Sequence, residues 1–136
     1  MALQYSVAVR DAQNDQLETT ISTAPTLEIR SGAVPANCAA ADSGTLLASG
    51  ALPSDWLTAS SSGAKSKNGT WTLTGQAGAG SGTAGGHFRI KQGATCHIQG
   101  TFTASGGGGD MTADNNSIAN GQTVTVNTFS LTRGNA

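Results

Sequence analysis

Two histidines, His87 and His97, and two cysteines, Cys38 and Cys96, are the side chains of this chain best suited to chemistry. The histidines flank the stretch GGHFRIKQGATCHIQGTFT (85–103), in which Phe88, Ile90, Cys96, Ile98 and Phe102 alternate with polar residues. Such alternation predicts a β-hairpin with one apolar face. Placing Phe88 opposite Ile98 and Ile90 opposite Cys96 requires an odd loop, most simply Gln92-Gly93-Ala94. His87, Arg89, His97 and Gln99 then share the outer face, open to solvent or to a partner. Two neighbouring imidazoles suit zinc or copper, but a third ligand is needed, the residue facing His97 is the cation Arg89, and the nearest acid in sequence is Asp110. No metal site is expected there, and the histidines and Arg89 are read as partner contacts.

Cys38 and Cys96 stand 58 positions apart and neither belongs to a Cys-x-x-Cys pair, which argues against tetrahedral zinc. An internal disulfide closing so long a loop would contribute ~4 kcal/mol by chain entropy. Against it, a mesophilic cytosol keeps thiols reduced, and the parity of Cys96 with Ile98 turns it toward the core. Reduced thiols are therefore the expectation, with the Cys38–Cys96 bridge as the alternative. Asp110, Asp114 and Asn115 are rich in oxygen but lack the every-second-residue spacing and the late Glu of a calcium loop. The run QAGAGSGTAGG (76–86) has the glycines of a phosphate loop without its Lys-Ser/Thr pair or strand-to-helix setting. It reads as a mobile loop, or one ordered only by another subunit. No serine lies in a Gly-x-Ser-x-Gly elbow, so neither hydrolase activity nor a cofactor is expected.

The elements that must position these groups belong to a chain of 136 residues, enough for one core. Charged residues make up 11% and aromatics 4%, yet hydrophobic residues reach 37%, too many for a disordered chain. With 19 glycines the core is thin, and burial against neighbours is a natural remedy for the backbone entropy. Seven basic against eight acidic residues cannot offer the positive surface that nucleic acid demands. The sequence has neither an apolar run long enough to span a bilayer nor a basic-then-apolar leader, so no membrane insertion is expected.

In chain order, residues 6–21 form the one credible helix, with Ser6 as cap and Leu3, Val7, Leu17 and Ile21 near one face. Their stripe is narrow, which suits an arm lying on a partner or on its own sheet. An extended start, with Leu3, Tyr5, Val7 and Val9 alternating, is the rival reading. Thr26–Arg30 reads as the first strand, residues 31–43 as a long irregular connection, and Thr45–Leu52 and Thr70–Thr74 as further strands, with Trp56 in the core. Asn120-Gly121 marks a tight turn before a last strand, Gln122–Thr132. There Val124 and Val126 have one parity and Phe129 and Leu131 the other, which predicts a β-bulge near Asn127-Thr128. The expected fold is mainly β, an antiparallel β-sandwich of jelly-roll or Ig-like type over 23–136, with a short N-terminal helix or arm over 1–22.

The segments ALQYSVAVRDAQ, LETTI, TLEIRSGAVPANCAAADSGTLLA, GTAGGHFRI, TCHIQGT and GGGGDMTADNNSIANGQTVTVNTFSLTRGNA together resemble a group of small tailed-bacteriophage virion proteins. That resemblance implies a non-enzymatic structural role in the virion after assembly in the host cytoplasm. Low charge, a thin core and arm-like ends fit it. The first expectation is a capsid decoration protein that contacts the major capsid protein and copies of itself. A tail or fibre component contacting tail proteins, with receptor binding as one form of that role, is the second, and a carbohydrate-binding module the third.

Overall fold

The computed structural model describes residues 3–134, so residues 1, 2, 135 and 136 of the two expected segments lie outside the described residues. After helix α1 (Val7–Ile21) come strands β1 (Thr26–Arg30), β2 (Leu46–Ala51), β3 (Ala64–Ser66), β4 (Thr72–Gly75), β5 (Thr83–Ala84) and β6 (His87–Gln92). Strands β7 (Thr95–Ala104), β8 (Met111–Ala113), β9 (Ser117–Ile118) and β10 (Thr123–Thr132) complete the chain.

The strands do not form the expected sandwich. They run β10-β4-β2-β1-β6-β7-β8, and β8 pairs back onto β10, which closes a seven-stranded barrel. β3 hangs from the far end of β10, and β5 pairs with β9 beside the barrel. The long strand β10 makes closure possible by pairing with β4 through Thr123–Thr125 and with β8 through Val126–Phe129. Its register shifts between Val126 and Thr128, at the predicted bulge, and the extra residue puts Val124, Val126 and Phe129 all in the core.

One pairing, β7 with β8, is parallel. Parallel neighbours ordinarily need a crossover of about a dozen residues or more. Here the chain reverses within Ser105–Asp110, where Gly106 and Gly108 adopt φ of +87° and +79°, a backbone region closed to most side chains.

Inside the barrel lie Leu27, Ile29, Leu47, Leu73, Phe88, Ile90, Phe102 and Met111. Trp71 bridges two aromatic neighbours, Trp56 at 6.1 Å and Phe129 at 5.3 Å between ring centroids, and Phe88 meets Phe129 edge-on. Both indoles are fully buried and keep a hydrogen-bond partner, Trp56 on the Ser22 carbonyl and Trp71 on that of Asn68.

The β6–β7 hairpin departs from the expected register. Its turn is Gly93-Ala94, with Gly93 at φ +60° and Gln92 facing Thr95. An even loop alone would set apolar against polar residues. A shift between Ile90 and Lys91 corrects this, so that Ile90 faces Ile98, Phe88 faces Gly100, and Cys96 faces Lys91. Parity is thus restored by a bulge around His97 and not by loop length. The run 76–86, expected to be mobile, is ordered within the chain by a 3₁₀ turn at Ala77–Ala79 and the β5–β9 pair.

Candidate functional site

The bulge at His97 decides where the chemistry-bearing side chains go. Cys96 is turned out of the core onto the face of β6–β7 that carries His87, Arg89 and Lys91. His97 goes the other way and borders a groove with Leu17, Thr20 and Ile21 of α1. The two histidines therefore do not share a face. Among the described residues no three His, Cys, Asp or Glu side chains are grouped to hold a metal ion.

His87 and Arg89, expected on an open face, are 0% and 1% exposed. The irregular loop 31–45 covers them, so β6 is buried on both sides despite its alternating sequence. The Arg89 guanidinium organises this cover. Its Nη1 donates to Asp42 at 2.5 Å, and its Nη2 donates to the carbonyls of Cys38 and Ala40 at 3.0 Å each. Gln99 donates to the Pro35 carbonyl at 2.7 Å, and His87 Nδ1 lies 3.0 Å from the Gly32 carbonyl. Partly buried loop carbonyls thus find donors on the strands, which a loop without its own ladder requires.

Asp42 is also paired with Lys91 and with Arg30, the latter at 3.2 Å, while Glu28 pairs with Arg30 at 2.9 Å and Lys91 at 3.3 Å. The hydrogen bond from Lys91, joined by that from Arg89, holds the Asp42 carboxyl below its ordinary range although partial burial opposes this. Cys38, expected to remain reduced, is joined to Cys96 by a disulfide that pins the middle of the loop. The parity of Cys96 with Ile98 predicts a core position, but the bulge sends Cys96 to the side on which loop 31–45 lies.

A second cluster fixes α1. Ser6 caps the helix by accepting from the Val9 amide, as its sequence position predicts. The side facing the barrel is largely polar: Asp11 accepts from the Gly63 amide at 2.7 Å and the Ser60 hydroxyl at 2.8 Å, and buried Asn14 donates to the Gly63 carbonyl at 2.8 Å. Lys65, 2% exposed at its side chain, is bound by Asp15 at 2.7 Å and Glu18 at 2.8 Å. Burial pulls the Lys65 pKa down, but the hydrogen bonds to the two carboxylates outweigh it and the net direction is upward. Arg10, the remaining charge of the helix, donates to the Arg133 carbonyl at 3.1 Å.

Every charged side chain of α1 is therefore bonded within its own chain, to Leu57, to residues 60–65 and to Arg133. The outward face, formed by Ala8, Val9, Ala12, Gln13, Gln16, Thr19 and Thr20, carries no charge beyond the half-exposed Asp15 at its edge. Of the four apolar residues expected to make partner contacts, Ile21 joins the core and Leu17 is half-buried, whereas Leu3 and Val7 are 72% and 48% exposed. Tyr5 and Val9 are exposed as well. The oxygen-rich residues Asp110 and Asp114 serve the backbone, Asp110 accepting from Thr101 and Asp114 from the Thr125 amide.

No protein-family profile, curated protein or solved structure matches this chain.

Proposed function

We propose that this protein is a structural component of a tailed-phage virion, a capsid decoration protein that binds the major capsid lattice and copies of itself and stabilises the head. The observation that carries this reading is the nearly uncharged outward face of α1, which runs on into exposed Leu3, Tyr5 and Val7. A solvent-facing helix ordinarily turns charges outward and apolar residues inward. Here all four charges are bonded within the chain, with only Asp15 half exposed at the edge of the face. A face of alanine, valine and uncharged polar residues is one that another protein can cover without desolvating ions.

Its size suits a repeating lattice better than a lone partner. Fifteen helical residues span about 22 Å, and a strip about 10 Å wide offers only a few hundred Å², against the ~800 Å² per partner of a stable binary interface. Retention on a particle would then come from several weak contacts acting together. A closed barrel beside such an arm is a compact plug for a junction between capsomers.

The deciding experiment is the copy number of the protein relative to the major capsid protein in purified virions. Stoichiometric abundance supports decoration, whereas a few copies per particle would assign it to the tail, the second reading, with tail proteins as partners. Absence from virions would overturn both.

A further inference from the structure

Loop 31–45 is held over β6 and β7 by contacts that need no sulfur. Arg89 binds the Cys38 carbonyl itself, Asp42 anchors the loop beyond it, and Gln99 holds Pro35 before it. Cys96 is fixed in β7 opposite Lys91, and its Sγ lies 3.7 Å from the Ile98 carbonyl, an acceptor for the reduced thiol. The Cα atoms of Cys38 and Cys96 are 5.2 Å apart, inside the span of a disulfide. Both residues are half-buried and border an open cleft of about 340 Å³ between the loop and the β6–β7 turn.

We propose that Cys38 and Cys96 form a redox latch, a modification site for a small disulfide such as glutathione disulfide, which closes on a loop that Arg89 and Asp42 already hold in place. One cysteine thiolate attacks a sulfur of glutathione disulfide, forming a mixed disulfide and expelling a glutathione thiolate. The other cysteine thiolate attacks the protein sulfur of that mixed disulfide and expels the second glutathione. The two cysteine protons end on the released thiolates. Protein dithiol and glutathione disulfide thus become protein disulfide and two glutathione molecules, with two electrons passed to glutathione. Because the clasp holds the partners together, the second attack is intramolecular at high effective concentration. The loop then presents the same surface in a reducing and an oxidising compartment, and only its resistance to opening changes.

The test equilibrates the reduced full chain in glutathione redox buffers and reads the bridged fraction by mass spectrometry after alkylation. Asp42→Asn weakens the ion cluster and is expected to lower the equilibrium constant for bridging about tenfold, in keeping with the loss of charge-assisted bonds. Gln99→Leu, which leaves that cluster intact, is expected to lower it severalfold. Hydrogen exchange at the loop amides Ser31 and Ala40 should show similar protection in reduced and oxidised wild type. Unchanged bridging in both variants, reduced-state loop amides exchanging at unstructured rates, or accumulation of a stable glutathione adduct would each overturn the proposal.

Discussion

Lys65 lies beneath Asp15, its ammonium 2.7 Å from a carboxylate that is itself 52% exposed while the lysine is 2% exposed. The pair is lopsided: the cation depends on the helix for solvation, whereas the anion keeps access to water. Lys65→Met keeps the stem and removes the charge, leaving two carboxylates that water still reaches. Its cost is expected to fall below the roughly 3–5 kcal/mol seen when a fully buried pair loses one partner, at about 1–3 kcal/mol by urea unfolding. Asp15→Leu with Glu18→Leu should cost more, since the buried ammonium is then stranded.

Acid should weaken the protein before alkali does. Asp15 and Asp42 are both held below their ordinary 3.8, first by hydrogen bonds from Lys65 and Lys91 respectively. A carboxylate with a depressed folded-state pKa stabilises the fold above its unfolded pKa, and that contribution is lost as pH falls through the folded value. Lys65, raised above 10.5, contributes below its unfolded pKa and loses the contribution as pH rises through the folded one. Melting temperature should be flat from about pH 5 to 9, fall below about pH 4, and fall again only above about pH 10.5. A maximum near pH 3 would contradict the assignment.

Phe102 is 1% exposed and sits where β7 hands over to β8. Phe102→Ala is expected to cost roughly 3–5 kcal/mol, because the surrounding barrel cannot collapse fully into the space. Thermal or chemical unfolding would measure it.

The outward face of α1 separates folding from assembly. Ala12→Glu places a charge on an exposed helical position and should leave stability within about 0.5 kcal/mol. Incorporation into particles is expected to fall sharply. Normal incorporation would remove this helix face from the interface. Deleting α1 outright is a poorer probe, since Ile21, Lys65 and the Trp56 indole all lose their cover with it.

The local features written in chain order were legible in the sequence: the Ser6 cap, the strand Thr26–Arg30, the Asn120-Gly121 turn and the bulge in β10. Each rests on neighbours a few residues apart. Barrel closure was not legible, because it depends on which strands β10 meets at each end, and a parity argument gives faces without partners. Burial of His87 and Arg89 was missed for a related reason. Alternation in β6 identifies two faces, but only the long-range placement of loop 31–45 says that both are covered. The disulfide was not legible either, since one extra residue at His97 reverses the side to which Cys96 points.

The seam formed by β10 has a consequence for synthesis on the ribosome. β4, β8 and β3 all await this strand, the last of the described elements to emerge, so the preceding strands wait with unpaired edges while residues 123–132 are still being made. Those exposed edges are templates for pairing with other nascent chains. Translation that stalls before residue 123 should therefore yield aggregates and not a smaller folded barrel, and the speed at which residues 123–132 are made becomes part of how well the protein is made.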